Sequence, residues 1–289
     1  MAAWLTVQMR KHNGFLLALP ALLWLAIFFI LPLTIVFIVS FMTRGTGGSA
    51  VLPLTLDNYE RVFDVFDGIF IRSIRIAFVT TLICLVVGYP LAFYIKTRKS
   101  NFARQFALFL VILPFWTNFL VRTYAWRVLL GREGTINEML LSSNLISEPL
   151  PLLNTEFAVL LGLVYGFLPF MVLPIYASVE RFDFRFVEAS RDLGANDWHT
   201  FWRVVLPLTL PGVVAGCILV FIPALGAFVT PDLLGGTKGL MIGNLIQSQF
   251  RGTGNLPLGA ALSNVLMALV MVALIVYLRF VSRGERNNG

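Results

Sequence analysis

Long apolar runs dominate the pattern of hydrophobic and polar positions in this chain. A helix needs roughly 20 apolar residues to cross the hydrocarbon core of a bilayer. Six runs meet that length, at about 15–41, 73–95, 106–130, 157–179, 205–230 and 258–280. Arg122 and Arg127 interrupt the third run and prolines lie in the fifth, so those boundaries are the hardest to place. The pattern predicts an all-α integral membrane protein with six transmembrane helices.

Basic residues, Arg10 and Lys11, precede the first run, as they do in secretory signal peptides. A signal peptide has an apolar region of roughly 7–15 residues followed by an A-x-A cleavage site. The first run is longer and no such site follows it. We therefore expect a retained membrane span.

Composition and charge agree with lipid as the main solvent. The 289 residues are 58% hydrophobic and 13% charged, with a mean hydropathy of +0.83, whereas soluble domains are about a quarter charged. Short cytoplasmic loops carry an excess of Lys and Arg. With both termini in the cytoplasm, the inner segments hold 13 of the 22 basic residues and the whole net charge of +7. No nucleic-acid partner is needed to explain the isoelectric point of about 9.8.

Shorter patterns predict the remaining packing. Tyr59, Val62, Phe63 and Phe66 share one face of an amphipathic stretch at 56–70, which predicts an outer helix that packs against the bundle. A second short helix is predicted near 137–141, in the long outer loop. Two G-x-x-x-G pairs predict close helix contacts within the subunit, with a subunit interface as the alternative. These pairs are Gly162 with Gly166, and Gly212 with Gly216. Cys84 and Cys217 lie within spans and are expected to pack rather than to form a redox pair.

A charged stretch, Glu188–Pro207, separates the fourth and fifth runs and is named the island here. We expect a helix to begin at Asp183 or Glu188, because acidic side chains suit a helix N-terminus. Gly194 then allows a positive-φ turn. A second amphipathic helix is predicted to follow, with one apolar face made of Trp198, Phe201, Trp202 and Val205. Pro207 is expected to stop or kink the chain where the fifth span begins.

The island resembles the EAA loop of permease subunits of bacterial ABC importers. The matching positions are Glu188, Ala189, Ser190, Gly194, Val204, Leu206 and Pro207, with Ser190 in place of the usual second alanine. The resemblance implies a type I importer transmembrane domain whose island docks in a cleft of an ATPase subunit. Glu188, Ala189, Ser190, Gly194, Leu206 and Pro207 would be the coupling residues. It implies an N-terminal part at 1–70, a core domain at 71–280 and a cytoplasmic tail at 281–289.

The rest of the chain is similar to the permeases of spermidine/putrescine importers. The segments that carry this similarity are 54–62, 113–126, 162–176, 207–226 and 231–246. It implies a second permease subunit, two ATPase subunits, a periplasmic polyamine-binding protein, and the bacterial inner membrane as the location. Another solute of the same importer class (an amino-acid derivative, thiamine, sulfate or iron) is the alternative.

The energy source must come from a partner. The chain has no G-x-x-x-x-G-K-[ST] phosphate loop, and Gly235-Gly236-Thr237-Lys238 has the wrong spacing. ATP and Mg are therefore expected on the partner ATPase, with no catalytic residue, metal or cofactor in this chain.

A path for polyamines should offer aromatic faces and anionic acceptors. The candidate residues are Trp116, Tyr124, Tyr165, Phe228 and Asp232. For each aromatic residue a role in the core or in an interfacial belt is the alternative. Arg122 and Arg127 are expected at the outer interface or in contacts with the binding protein.

Two other classes of membrane protein are weighed against the importer. A membrane enzyme would show a polar catalytic cluster, and neither His12 nor His199 has a partner set. An ion channel would need a filter-like segment and would not need the island.

Overall fold

The computed structural model describes residues 18–252 and 254–286. Arg10, Lys11 and His12 therefore lie outside the described residues. The chain divides into two compact units, one made of 1–65 with 248–265 and the other of 66–247 with 266–289. The helices and strands, in chain order, are α1 Ala18–Val39, β1 Met42–Arg44, β2 Ala50–Leu54, α2 Asp57–Val65, α3 Asp67–Thr97, α4 Asn101–Ile112, α5 Phe119–Leu129, α6 Thr135–Ser142, α7 Glu156–Arg181, α8 Arg185–Asp192, α9 Asp197–Leu225, α10 Ile242–Phe250 and α11 Leu256–Arg286.

The all-α expectation is confirmed, with one small exception. Strands β1 and β2 form an antiparallel hairpin in which Thr43 pairs with Val51 and Arg44 with Ala50. Its loop holds Gly47 at φ 70° and Gly48 at φ 87°, a backbone conformation that favours glycine. The sequence pattern did not predict this hairpin, because two strands this short carry little alternation.

Helix α2 corrects the predicted amphipathic stretch at 56–70. It ends at Val65, and α3 begins at Asp67. Val62 is buried as expected, but Phe63 is 64% exposed. The inward face instead includes Asn58, whose amide donates to the Ser40 carbonyl at 3.0 Å and ties α2 to the end of α1. The hydrogen-bonded Asn58 thus lies on the inward face of α2, where the periodicity predicted Phe63.

Three long helices, α3, α7 and α9, pack on one another and form the main core of the second unit. The fully buried side chains at their contacts include Cys84, Ala92, Ile95, Met171, Val172, Ile175 and Val220. Cys84 is a free thiol inside this core and Cys217 packs against it. The structure therefore agrees with the packing role expected for both cysteines.

The glycine pairs serve unequal roles. A Cβ at Gly212 would lie 2.5 Å from the Pro174 carbonyl oxygen, and one at Gly216 would lie 2.8 Å from Met171 Sδ. The pair on α9 therefore brings α9 against α7 within the subunit, as predicted. A Cβ at Gly162 would lie 2.7 Å from Thr230 Cγ2, whereas one at Gly166 would touch only the Arg122 guanidinium, at 3.9 Å.

The third predicted span is broken. Helices α4 and α5 meet at an angle of 91°. A 3₁₀ turn, Leu113–Trp116, ends α4, and Asn118 caps α5 by accepting the Leu120 N–H at 2.8 Å. The interruption therefore lies at Pro114 and Asn118 and not at Arg122 or Arg127. Five described helices are long and apolar enough to cross a membrane, and the count becomes six if the bent pair is one span.

The last two spans differ from their predicted limits. Helix α9 begins at Asp197 and ends at Leu225, so the second half of the island is continuous with the fifth span. The expectation that Pro207 stops the helix is wrong, because α9 runs through it, and the alternative of a kink there stays a prediction. The helix widens to a π turn over Phe201–Val205, where the Leu206 N–H bonds the Phe201 carbonyl. A wider turn keeps the Pro207 ring off the preceding carbonyl. Helix α11 continues to Arg286, so the predicted tail at 281–289 begins inside a helix.

Candidate functional site

The first helix of the island is α8, and it starts between the two expected positions. The Asp183 carboxylate accepts the Arg185 N–H at 3.0 Å just before the helix begins. Glu188 lies in the first turn, where a negative charge is favoured by the helix dipole. Glu188 and Ala189 are both exposed. The acidic side chain and the small residue beside it therefore face outward and are accessible to a partner.

The turn after α8 depends on Gly194. Its φ is +80°, and a Cβ placed there would meet nothing within 4 Å. The requirement for glycine at this position is therefore conformational and not steric. Asn196 then starts α9 by accepting the His199 N–H at 2.8 Å. The predicted positive-φ turn between two helices is present.

Ser190 joins the two helices of the island. Its hydroxyl donates to the Val187 carbonyl at 2.9 Å and lies 2.8 Å from the hydroxyl of Thr200, which is buried. Because the single Ser190 hydrogen points at Val187, the Thr200 hydroxyl is the donor of the second bond. An Arg191–Asp197 ion pair of 2.9 Å crosses the same turn, but its exposure makes it a weak brace. An alanine at 190 could not make this link.

The apolar residues of the island divide into two groups. Leu193, Trp198 and Trp202 are 88%, 67% and 50% exposed. Phe201 instead packs edge-on against Tyr89 with ring centroids 5.6 Å apart, and Val205 is buried. Phe201 and Val205 thus pack inward, whereas Trp198 and Trp202 stay exposed. The expected division into one apolar set against the membrane and another facing the cytoplasm stays a prediction. A hollow of about 450 Å³ beside the turn is lined in part by Ser190, Gly194, His199 and Arg203.

A buried contact links the island to the bundle and was not found from sequence. The Tyr89 hydroxyl on α3 lies 2.9 Å from Thr209 Oγ1 on α9, and both residues are buried. The Tyr89 ring also holds Phe201 at the island's π turn. Leu206 is half-buried and Pro207 is exposed between these two contacts. In the sequence, the one indication of this contact is the hydroxyl group that Tyr89 brings into an apolar run.

The predicted path residues lie in four parts of the chain. Trp116 is 81% exposed at the break between α4 and α5, and Tyr124 is 52% exposed on α5. Tyr165 on α7 packs edge-on against Trp126 at 5.6 Å. Phe228 and Asp232 are exposed and share one turn, since the Asp232 N–H bonds the Phe228 carbonyl at 3.0 Å. The structure thus pairs the last two and places the others separately.

Arg122 has a different setting from the one expected at the outer interface. It is half-buried, donates through Nη1 to the Pro114 carbonyl at 2.7 Å, and lies 5.5 Å from the ring centres of Phe119 and Tyr165. Arg127 is exposed. The sequence feature that could have indicated this setting is the presence of an ionisable residue, Arg122, within an apolar run.

The fold and this site define a class of protein: a multi-pass membrane protein that presents two short, sharply turned helices between its spans. Residues 84–284 match the family described as the binding-protein-dependent transport system inner membrane component, and the chain belongs to that family. It is a multi-pass inner-membrane protein of ATP-driven, binding-protein-dependent transport.

Relatives of known name agree with this assignment. The chain is 45% identical over 257 residues to the spermidine/putrescine transport system permease protein PotB of Haemophilus influenzae, covering 89% of this chain and 90% of the relative. It is 43% identical to the PotB protein of Escherichia coli K12, covering 89% and 93%. The resemblance drawn from the sequence to this group of permeases is confirmed.

A solved structure shares the fold. A bacterial ABC transporter involved in the import of the acidic polysaccharide alginate aligns with a TM-score of 0.68, 18% identity and coverage of 99% of each chain. The match confirms the transmembrane fold expected for an ABC importer.

Proposed function

We propose that this chain is one of two permease subunits of a polyamine importer, which moves spermidine or putrescine from the periplasm to the cytoplasm. A second permease, two ATPase subunits and a periplasmic polyamine-binding protein complete the complex. The identity of 43–45% to named spermidine/putrescine permeases supports the substrate. Both termini lie in the cytoplasm, which the excess of basic residues in the inner segments supports.

The island is the docking site for the ATPase. The observation that carries this proposal is the exposed turn itself: Gly194 has a positive φ, and the neighbouring Leu193 is 88% exposed. Trp198 and Trp202 are also exposed and lie with ring centroids 5.6 Å apart. A group of large apolar side chains exposed on a polar segment is typical of a surface that a partner covers. Binding and hydrolysis of ATP in the partner would displace this turn, and the Ser190–Thr200 and Tyr89–Phe201 contacts would carry the displacement into the bundle.

The test is Glu188→Lys in the assembled complex. Reversing an exposed charge in the docking helix places a cation where the partner receives a carboxylate, so we expect the ATPase to copurify at least tenfold less well. Binding-protein-stimulated ATP hydrolysis should fall to the unstimulated level. The matched control is Glu148→Lys, an exposed acid of the outer loop, which should retain the ATPase. Normal copurification and normal stimulated hydrolysis with Glu188→Lys would refute the docking role.

Asp232 is proposed to help receive the polyamine on the outer side. It is exposed in a turn where its N–H bonds the carbonyl of Phe228, whose side chain is also exposed, and a carboxylate with an aromatic residue one turn away suits an alkylammonium. Asp232→Asn keeps the side-chain shape and removes the charge. We expect spermidine uptake into proteoliposomes to fall several-fold with complex assembly unchanged. Uptake equal to that of the unaltered protein would exclude Asp232 from the path.

A further inference from the structure

Arg122 has an unusual set of partners for a charged residue. Its guanidinium is held by the Pro114 carbonyl and by the faces of the Phe119 and Tyr165 rings. Within the described parts of the chain no carboxylate forms an ion pair with it. The positive charge is therefore stabilised by ring faces and a carbonyl dipole alone.

The position of this charge is also unusual. Tyr165 lies about 13 Å along α7 from its start at Glu156, at 1.5 Å per residue. That helix spans 26 residues, or about 39 Å, so a hydrocarbon core of about 30 Å centred on it would include the level of Tyr165 and of the guanidinium beside it. Ionisable groups at this depth are costly and usually mark a polar path or a functional site.

The surroundings of Arg122 suit any cation of similar size. Aromatic faces attract alkylammonium groups as they attract guanidinium, and a carbonyl oxygen accepts a hydrogen bond from either. A Cβ at Gly166 would have the guanidinium as its one neighbour within 4 Å outside its own turn, so this glycine leaves room beside the cation. The Pro114 carbonyl, the Phe119 ring and the Tyr165 ring therefore form a cation site that a side chain of the protein itself fills.

The occupant and one part of the site, the Tyr165 ring, are on different helices. Arg122 and Phe119 belong to α5, which follows the 91° break, and Tyr165 belongs to α7. A change of angle at the break would carry Arg122 away from the Tyr165 ring. We propose that the Tyr165 face binds one ammonium group of the transported polyamine, and that Arg122 occupies this face in the present conformation and so excludes the substrate. The inference rests on the polyamine function proposed above.

The test measures equilibrium binding of radiolabelled spermidine to the complex of both permeases and the ATPase in lipid nanodiscs, without the binding protein. Removing the resident cation in Arg122→Gln should tighten spermidine binding at least tenfold. Arg122→Lys keeps a cation on the rings and should bind as weakly as the unaltered complex. Adding Tyr165→Leu to Arg122→Gln should return binding to the original level, because the ring face is lost.

Arg127→Gln is the matched control, since it removes the same charge from an exposed position on the same helix. A gain in binding equal to that of Arg122→Gln, or a gain that survives Tyr165→Leu, would show a general charge effect and overturn the site. Unchanged binding in Arg122→Gln would do the same. Arg122→Met is the second variant if Arg122→Gln does not assemble, and failure of both would assign Arg122 a structural role and overturn the proposal.

Spermidine transport by the unaltered complex with its binding protein is measured in parallel. Absence of transport would refute the polyamine function, and this inference with it. Transport together with unchanged binding in Arg122→Gln would refute the cation site alone.

Discussion

Individual glycines in this chain are required for different physical reasons. Gly194 is required by its backbone angle, because its surroundings are open. Gly212 is required by space, because a side chain there would press on the Pro174 carbonyl of the neighbouring helix. The sequence predicted a special role for both residues. It could not distinguish these causes, which depend on what lies opposite each glycine.

Gly212→Ala and Gly166→Ala form a matched pair at the residue scale. Alanine gains up to about 1 kcal/mol over glycine in a helix interior, but overpacking costs about 1–3 kcal/mol. We expect Gly212→Ala to lower the thermal unfolding temperature of the purified complex. Gly166→Ala should leave it unchanged or raise it, because its Cβ would meet only the Arg122 guanidinium at 3.9 Å. Equal destabilisation by both would contradict the assigned packing.

At the scale of helices, the apolar pattern of the sequence predicted the positions of the spans better than the positions of their interruptions. The runs at 73–95 and 157–179 lie inside α3 and α7. The break of the third run lies at Pro114 and at the Asn118 cap, and hydropathy alone does not mark either residue as a break. Similarly, the π turn at Phe201–Val205 reflects how one proline is accommodated inside a continuous helix, which hydropathy does not encode.

Pro207→Ala tests the cause of the π turn. Alanine restores the N–H and removes the ring, so the helix can return to α geometry. Without the extra residue of the π turn, the residues before it would be rotated about the helix axis by about 100°. Phe201 would then leave Tyr89. We expect ATP hydrolysis and transport to become uncoupled, with several-fold less spermidine moved per ATP hydrolysed, while the ATPase still copurifies.

Pro211→Ala is the control on the same helix, because the turn before Pro211 is an ordinary α turn. A similar loss of coupling in both variants would show that the π turn has no particular role.

At the scale of the whole molecule, the pattern of the island and the similarity along the chain predicted the family, which the comparisons confirm. The setting of Arg122 and the Tyr89–Thr209 contact were not predictable, because each joins residues from helices far apart in sequence. The distribution of basic residues among the loops predicts the orientation of the chain in the membrane. That prediction can be tested directly.

Cysteine labelling measures that orientation. In a background with Cys84→Ala and Cys217→Ala, Ser147→Cys places a thiol in the outer loop and Lys99→Cys places one in an inner loop, both at exposed positions. A membrane-impermeant maleimide should label Ser147→Cys in intact cells with a permeabilised outer membrane. Lys99→Cys should react only after the inner membrane is opened. The reverse pattern would place the termini and the island outside.

The continuity of α9 sets the scale of the motion that the island would impose in the proposed docking role. The helix has 29 residues from Asp197 to Leu225, which corresponds to a rod of about 43 Å at 1.5 Å per residue. A tilt of about 5° about one end displaces the other end by about 4 Å. That displacement is comparable to the width of a methylene chain. In the docking role proposed above, a small movement of the partner at one membrane face would therefore be enough to open or close a passage at the other.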